Sequence, residues 1–538
     1  MGPKIRNDDN DADSHDPPAS RQDGAAQQQA FDEFFNNPAL GKDLRTKSVR
    51  GGTATIASQA GRFLIGTAGT AVLARILTPG DFGLLAMIAA FTRFLTLFKD
   101  LGLSTATIQR KEISHDQVNS LFWINAAIGV GIAILTVVAA PLVAGFYDRG
   151  ELLWITIVLA IPFVFSGLAL QHTALLRRQM RFGAIAVIQV VSAAAGAIAG
   201  IIAAWMGAQY WALVAGMIVT NIVTLVVTWR LCRWRPGRPR VTSDSGALVS
   251  FGGQITASNF VNYLARNLDN ILIGKVCGDA ALGVYDKAYQ LLLLPLRQFN
   301  APIAAVIIPV LSRLQDKREE FRRAYRTAVG LLAAAGMPVV TLSFVAAPEV
   351  VRIFLGPRWD AVVPIFQWLA PAAFVGTTNG AIGWVCISLG RVRRQLAWTL
   401  ISTPFILAAF VIGVLCKDPV VVAAAFSIVQ VVLRWPGLLY CFQDTFIGTR
   451  DVVAAVWRPL IASLGAGAGA YALRFVPWSP MHTTLGMFIA MSLSVAALYA
   501  GIWLAIPGGR RRLDEVLSLA ATILPRRKKN DASATTSE

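Results

Sequence analysis

Residues 251–313 read FGGQITASNFVNYLARNLDNILIGKVCGDAALGVYDKAYQLLLLPLRQFNAPIAAVIIPVLSR. Two apolar segments, 251–273 and 283–311, are each long enough to cross a bilayer core of roughly 30 Å, with a short loop between them. Each carries an arginine near its middle, Arg266 and Arg297. A charge at that depth is costly against lipid and belongs in a protein interior or a wet cavity. In the first segment Gln254, Ser258, Asn262, Arg266 and Asn270 recur every fourth residue and trace one drifting face of a helix. In the second, Asp286, Gln290, Arg297 and Asn300 share a face, while Pro295, Pro302 and Pro309 lie roughly opposite. The prolines predict a bent helix. The pair therefore reads as two helices lining a polar lumen. A plainer alternative keeps the arginines at helix ends or in fixed salt bridges. Asp269, three residues after Arg266, stands at helical spacing to neutralise it.

The same pattern occurs earlier in the chain. With a shift of 200 residues, Ala57-Ser58 aligns with Ala257-Ser258, and Phe63-Leu64 with Tyr263-Leu264. Residues 72–75 (VLAR) align with 272–275 (LIGK), and Phe82-Gly83 with Leu282-Gly283. The first copy also has mid-span arginines, Arg62 and Arg93. An internal duplication with polar sites buried in both halves is a transporter signature.

The 538 residues are 55% hydrophobic and only 15% charged, which suits a polytopic membrane protein and no soluble domain of this length. A net charge of +18 then marks cytoplasmic loops rather than nucleic-acid binding. The five cysteines and four histidines show no ligand spacing, so neither a disulfide framework nor a metal centre is expected. No phosphate-binding Gly-rich loop is present, which excludes ATP hydrolysis by this chain. No DxD-type carboxylate pair stands in a polar loop. No extracytoplasmic loop exceeds about fifteen residues, leaving no room for a glycosyltransferase platform. Acid–base groups within the spans are few: Asp100, Asp269 and, near a helix end, His172.

Taken in order, residues 1–45 read as a disordered tail, with Phe31, Phe34, Phe35, Leu40 and Leu44 able to form a short interfacial helix. About fourteen apolar segments of spanning length follow. They fall near 53–76, 83–103, 119–146, 151–176, 183–206, 208–229, 248–273, 283–311, 325–347, 360–389, 395–415, 419–442, 453–473 and 483–506. The expected fold class is all-α: two pseudo-symmetric six-helix lobes, 46–231 and 247–443, joined by a basic linker, 232–246. Two further helices occupy 444–509, and a basic tail 510–538. Loops after even-numbered spans hold roughly twenty Lys and Arg against roughly eight on the other side, which places both termini and the linker in the cytoplasm. The charged stretch 312–326 has helical spacing and reads as a cytoplasmic surface helix.

The stretches LARILTPGDFGLLAM (73–87), LDNILIGKVCGDAALGVYDKAYQLLLLPLRQF (268–299) and PVLSRLQDKREEFRRAY (309–325) resemble bacterial polysaccharide flippases. These are the Wzx-type exporters of the multidrug/oligosaccharidyl-lipid/polysaccharide superfamily, and the likeness covers about 50–510. The resemblance implies two lobes facing each other in a V, with a cationic cavity lined by the first, second, seventh and eighth spans. Here those spans carry Arg62, Arg93, Arg266 and Arg297, with Gln254, Asn262, Asp269, Gln290 and Asn300 as supporting polar groups. It implies transfer of an undecaprenyl-pyrophosphate-linked oligosaccharide across the bacterial inner membrane, among membrane lipids and beside a polymerase and a chain-length regulator. No cofactor and no nucleic-acid partner is expected; coupling to H+, to Na+ or to the membrane potential stays open. Three rival readings stand beside it: a cation-coupled multidrug exporter, a lipid II flippase, and a membrane glycosyltransferase or polymerase.

Overall fold

A chain that is apolar over lengths of about twenty residues satisfies its amides inside hydrocarbon by forming helices or a closed barrel. The computed structural model resolves that choice as helices. It describes residues 40–96, 98–99, 104, 107–108, 113–238, 245–475 and 483–509, with the backbone alone at 40–53, 245–266, 294–295, 297–299 and 301–302. No strand occurs among the described residues.

The first lobe contains α1 (Leu40–Ile76), α2 (Pro79–Thr96), α3 (His115–Tyr147), α4 (Glu151–Val158), α5 (Ile161–Arg178), α6 (Phe182–Trp205) and α7 (Tyr210–Cys232). The second contains α8 (Ser245–Arg313), α9 (Arg318–Val345), α10 (Ala347–Phe354), α11 (Val362–Gly376), α12 (Gly380–Ser388), α13 (Val392–Leu415) and α14 (Pro419–Phe442). Two more, α15 (Thr449–Ala472) and α16 (Thr484–Ala505), close the chain. By length and composition, nine spans among the described residues are able to cross a membrane. Helix also occupies the other five expected positions: α1, α2, the two halves of α8, and the broken pair α11–α12. Those helices include the ones that carry Arg62, Arg93, Arg266 and Arg297.

The loop expected between the two halves of α8 shrinks to one residue. Only Gly278, at φ 87° and ψ 179°, departs from helical geometry in residues 245–313. A residue with a Cβ resists that conformation, so glycine allows two spans to reverse with almost no connecting chain. The linker is not free either. Trp234 is buried, Asn119 Nδ2 donates to the Arg238 carbonyl at 2.5 Å, and Trp123 Nε1 to the Gly237 carbonyl at 2.9 Å. The charged stretch begins α9, and its Arg326 guanidinium donates to Asp451 at the start of α15 at 2.7 Å. The interfacial segment expected near Phe31–Leu44 lies outside the described side chains, as does Asp100.

The lobes meet where α2 crosses α8, and the duplication is visible in that crossing. A Cβ on Gly83 would collide with the Asp279 carbonyl, and one on Gly283 with the Pro79 carbonyl. The two copies thus clasp each other reciprocally, glycine to backbone. Around the clasp, Arg149 pairs with Asp279 at 3.0 Å and Lys275 with Asp148 at 2.6 Å. Trp359, fully buried, donates its Nε1–H to the Ala74 carbonyl at 2.7 Å and meets the Phe82 ring edge-on at 5.4 Å. Arg352 donates twice to Asp360, at 3.0 and 2.9 Å, which fixes the turn that presents Trp359. Those hydrogen bonds hold the Asp360 carboxyl below its usual range. This end of the interface, on the side of the loops after odd-numbered spans, is closed.

Candidate functional site: a cationic cavity between the lobes

Beneath the clasp, α1 and α8 separate around a cavity of about 270 Å³. The first lobe contributes Arg62, Thr67 and Thr70, and the second contributes Lys287 and Gln290. Gly66, one turn from Arg62 on α1, keeps that wall low. Arg62 is exposed to the cavity side of its helix, whereas Lys287 is only 9% exposed. The Lys287 ammonium stands 4.3 Å from the centroid of the Phe82 ring, a cation–π contact across the lobe boundary. Asp286, its neighbour in sequence, accepts from Gln290 Nε2 at 2.6 Å. That bond holds the Gln290 amide on the cavity wall.

The expected site residues whose side chains are described do not all line one cavity. Arg62 and Gln290 line this cavity. Arg93, in the last turn of α2, is exposed and lies near enough for its charge to act on Lys287. Asp269 is 6% exposed; it accepts from the Tyr285 hydroxyl at 3.4 Å and from the Asn270 backbone N–H at 2.8 Å. It therefore ties the two halves of α8 together. Asn300 lines a separate cavity of about 200 Å³ inside the second lobe, with Asn379 and Gln430. The side chains of Gln254, Asn262, Arg266 and Arg297 lie outside the described residues.

Two cations escaped the sequence reading. Lys287 stands one residue from Asp286, and the expected polar face ran through Asp286 and Gln290 without it. The available signal was its place inside a run of apolar and aromatic residues, VYDKAY. Arg434 stands within α14 and grips the break between α11 and α12: Nη1 donates to Asn379 Oδ1 at 2.6 Å. Its Nη2 donates to the Thr378 carbonyl and hydroxyl, both at 2.9 Å. Among the described residues no group of three or more His, Cys, Asp or Glu is arranged to hold a metal ion.

The arrangement sets one exposed cation, Arg62, and one buried cation, Lys287, at a gap between two lobes. Among the described residues it offers no nucleophile beside a base and no carboxylate pair about a reacting bond.

Comparison with known proteins gives three findings. A family profile described as "Polysaccharide biosynthesis protein" matches residues 72–364. The "Lipopolysaccharide biosynthesis protein WzxC" of Escherichia coli (strain K12) is 23% identical, over 80% of this chain and 89% of that protein. The "Teichuronic acid biosynthesis protein TuaB" of Bacillus subtilis (strain 168) is 27% identical, over 79% of this chain and 88% of its own length. Among solved structures, "Lipid II flippase MurJ, inward closed conformation" superposes with a TM-score of 0.65 at 13% identity, covering 84% of this chain and 98% of that one. An inward-facing multidrug resistance MATE family transporter of the MOP superfamily gives 0.56 at 15% identity, covering 73% and 95%. At such identities the structural likenesses establish the fold.

Proposed function

The chain belongs to the polysaccharide biosynthesis protein family, and from that premise we propose that it flips a polyprenyl-pyrophosphate-linked oligosaccharide across the bacterial inner membrane. It is a multi-pass membrane transporter and not an enzyme. The observation that carries the reading is the joint cavity of Arg62 and Lys287, one cation from each copy, at the lobe interface. A pyrophosphate head loses many kcal/mol of hydration on entering hydrocarbon. Guanidinium and ammonium donors replace that water with charge-assisted hydrogen bonds, and the guanidinium does so through a planar fork. The lipid tail stays in the bilayer while the head passes between the lobes. Rocking one lobe against the other then exposes the seat to alternate sides.

In this reading the clasped end faces the periplasm and both termini and the 232–246 linker face the cytoplasm, following the lysine and arginine bias. The domain boundaries drawn from the sequence serve as the rocking units, and the cations near α1, α2 and α8 serve as the binding site. The drug-exporter reading is disfavoured because a cationic drug would meet Arg62 and Lys287. The experiment is reconstitution of the full chain in proteoliposomes with a fluorescent polyprenyl-pyrophosphate-linked oligosaccharide. Membrane-impermeant quenching should report transfer between leaflets well above that of protein-free liposomes. Equal rates with and without the protein would sink the proposal.

A further inference from the structure

The tenth span is broken at membrane depth. α11 ends at Gly376 and α12 starts at Gly380, with Thr377, Thr378 and Asn379 between them. Thr377 and Asn379 keep right-handed helical dihedrals, and their N–H groups donate to the Phe374 and Gly376 carbonyls at 3.4 and 3.0 Å, so the break is a tight turn. Broken spans are where transporters build polar ligand sites. Here the break opens onto the cavity of about 200 Å³ in the second lobe. Its walls come from α8, α11 and α14.

Three amides reach this cavity: Asn300 from α8, Asn379 from the break and Gln430 from α14. Asn300 and Gln430 have no hydrogen-bond partner among the described residues. Both are half-buried and line the cavity, so their donors and acceptors are open to a polar occupant. Asn379 is different because Arg434 orients it. A guanidinium only donates, so the oxygen of the Asn379 amide must face Nη1 at 2.6 Å. The Nδ2 group is left to donate elsewhere. The same helices add apolar lining one or two turns away, Leu292 and Leu296 before Asn300 on α8 and Phe426 before Gln430 on α14. Among the described residues that line the cavity there is no Lys, Arg, Asp or Glu.

We propose that this cavity is a recognition subsite for an uncharged sugar ring of the lipid-linked oligosaccharide, with Arg434 as its positioning residue. The chemistry matches on each side. Amides donate and accept together, as adjacent hydroxyls of a sugar require. The apolar side chains take the C–H face of the ring, and no described lining residue carries a charge to pair with phosphate. The phosphate cavity borders residues 287–291 of α8, and this one borders residues 289–300 of the same helix. The shared helix separates head-group charge from sugar identity. The inference rests on the flippase reading given above.

The test is binding to the full chain in lipid nanodiscs, using two probes: polyprenyl pyrophosphate without sugar, and the same lipid carrying one hexose. The double variant Asn379→Ala/Gln430→Ala should bind the glycosylated lipid about tenfold more weakly, from two lost hydrogen bonds. Its affinity for the sugar-free lipid should match wild type, which also shows that it is folded. Ala372→Phe fills the cavity from its wall and should do the same without touching an amide. Arg434→Lys keeps the charge but loses the fork, so its loss should fall between wild type and Arg434→Ala. Unchanged selectivity in both the double variant and Ala372→Phe overturns the subsite. Failure of wild type to bind either lipid instead overturns the flippase reading.

Discussion

The clasp and the cavity beneath it are built from corresponding helices of the two copies, yet they treat the duplication in opposite ways. At the clasp, corresponding positions match in kind: Gly83 with Gly283, and Arg75 with Lys275. Each glycine meets the backbone at the start of the other copy's helix. Positions that line the cavity have unlike counterparts in the other copy: Arg62 corresponds to Asn262, Lys287 to Met87 and Gly66 to Arg266. Closing two similar lobes against each other calls for a self-complementary contact, and the duplication supplies one without further design. Binding a head group with two unlike ends calls for unlike walls. The copies have diverged along the cavity and kept their likeness where the lobes touch.

The largest effect should come from breaking the clasp. Gly83→Leu or Gly283→Leu drives a side chain into a carbonyl rather than into a movable neighbour. Each variant should reach the membrane but lose transport almost completely, because the lobes no longer close at this end. Cysteine labelling there should rise with an impermeant thiol reagent. Wild-type transport in both leucine variants would show that closure does not use this crossing.

The cavity comes next. A hydrogen bond to a charged group contributes about 1.5–3 kcal/mol, so Lys287→Ala should weaken substrate binding about tenfold or more. Lys287→Arg should recover part of it, since the charge remains while the shape changes. A variant that fails to accumulate in the membrane would instead place Lys287 among the residues that hold the fold. Asp269→Asn should act more mildly. It leaves the shape intact while weakening the Tyr285 hydrogen bond that joins the halves of α8. Transport should slow by about threefold, roughly one ordinary hydrogen bond, and Tyr285→Phe should match it. A wild-type rate in both would remove Asp269 from the account.

The smallest effect belongs to the ion pairs around the clasp. Arg149 and Asp279 are partly exposed, as are Lys275 and Asp148. Exposed pairs contribute about 0–1 kcal/mol. Arg149→Ala should therefore change transport by less than about fivefold, and by less still at high salt. A loss as large as that of Gly83→Leu would mean that charge, not close approach, seals the interface.

Much of this was readable in advance because hydrocarbon is a strict solvent. Spanning length, the duplication and the cost of Arg62 in a span follow from residue type alone. What escaped depends on three-dimensional neighbours. Lys287 was passed over, because its partner, the Phe82 ring of the other copy, is distant in sequence. Asp269 was expected beside Arg266, whose side chain lies outside the described residues; its described partner Tyr285, across Gly278, is brought near only by a one-residue reversal. Asn300 shared a helical face with Gln290, yet the two line different cavities, because α8 is walled by different neighbours along its length. The orientation across the membrane rests on charge bias. Impermeant labelling of Gln209→Cys but not Ser243→Cys on intact cells is the expected outcome, and the reverse would invert it.

The central claim is that one cation from each copy holds the phosphate-bearing head during transfer. Its most direct measurement is leaflet transfer of a polyprenyl-pyrophosphate-linked oligosaccharide in proteoliposomes holding wild type, Arg62→Ala, Lys287→Ala or the double variant. Each single variant should slow transfer about tenfold, and the double variant should approach the protein-free rate. A double variant that is folded, correctly inserted and as fast as wild type would contradict the claim.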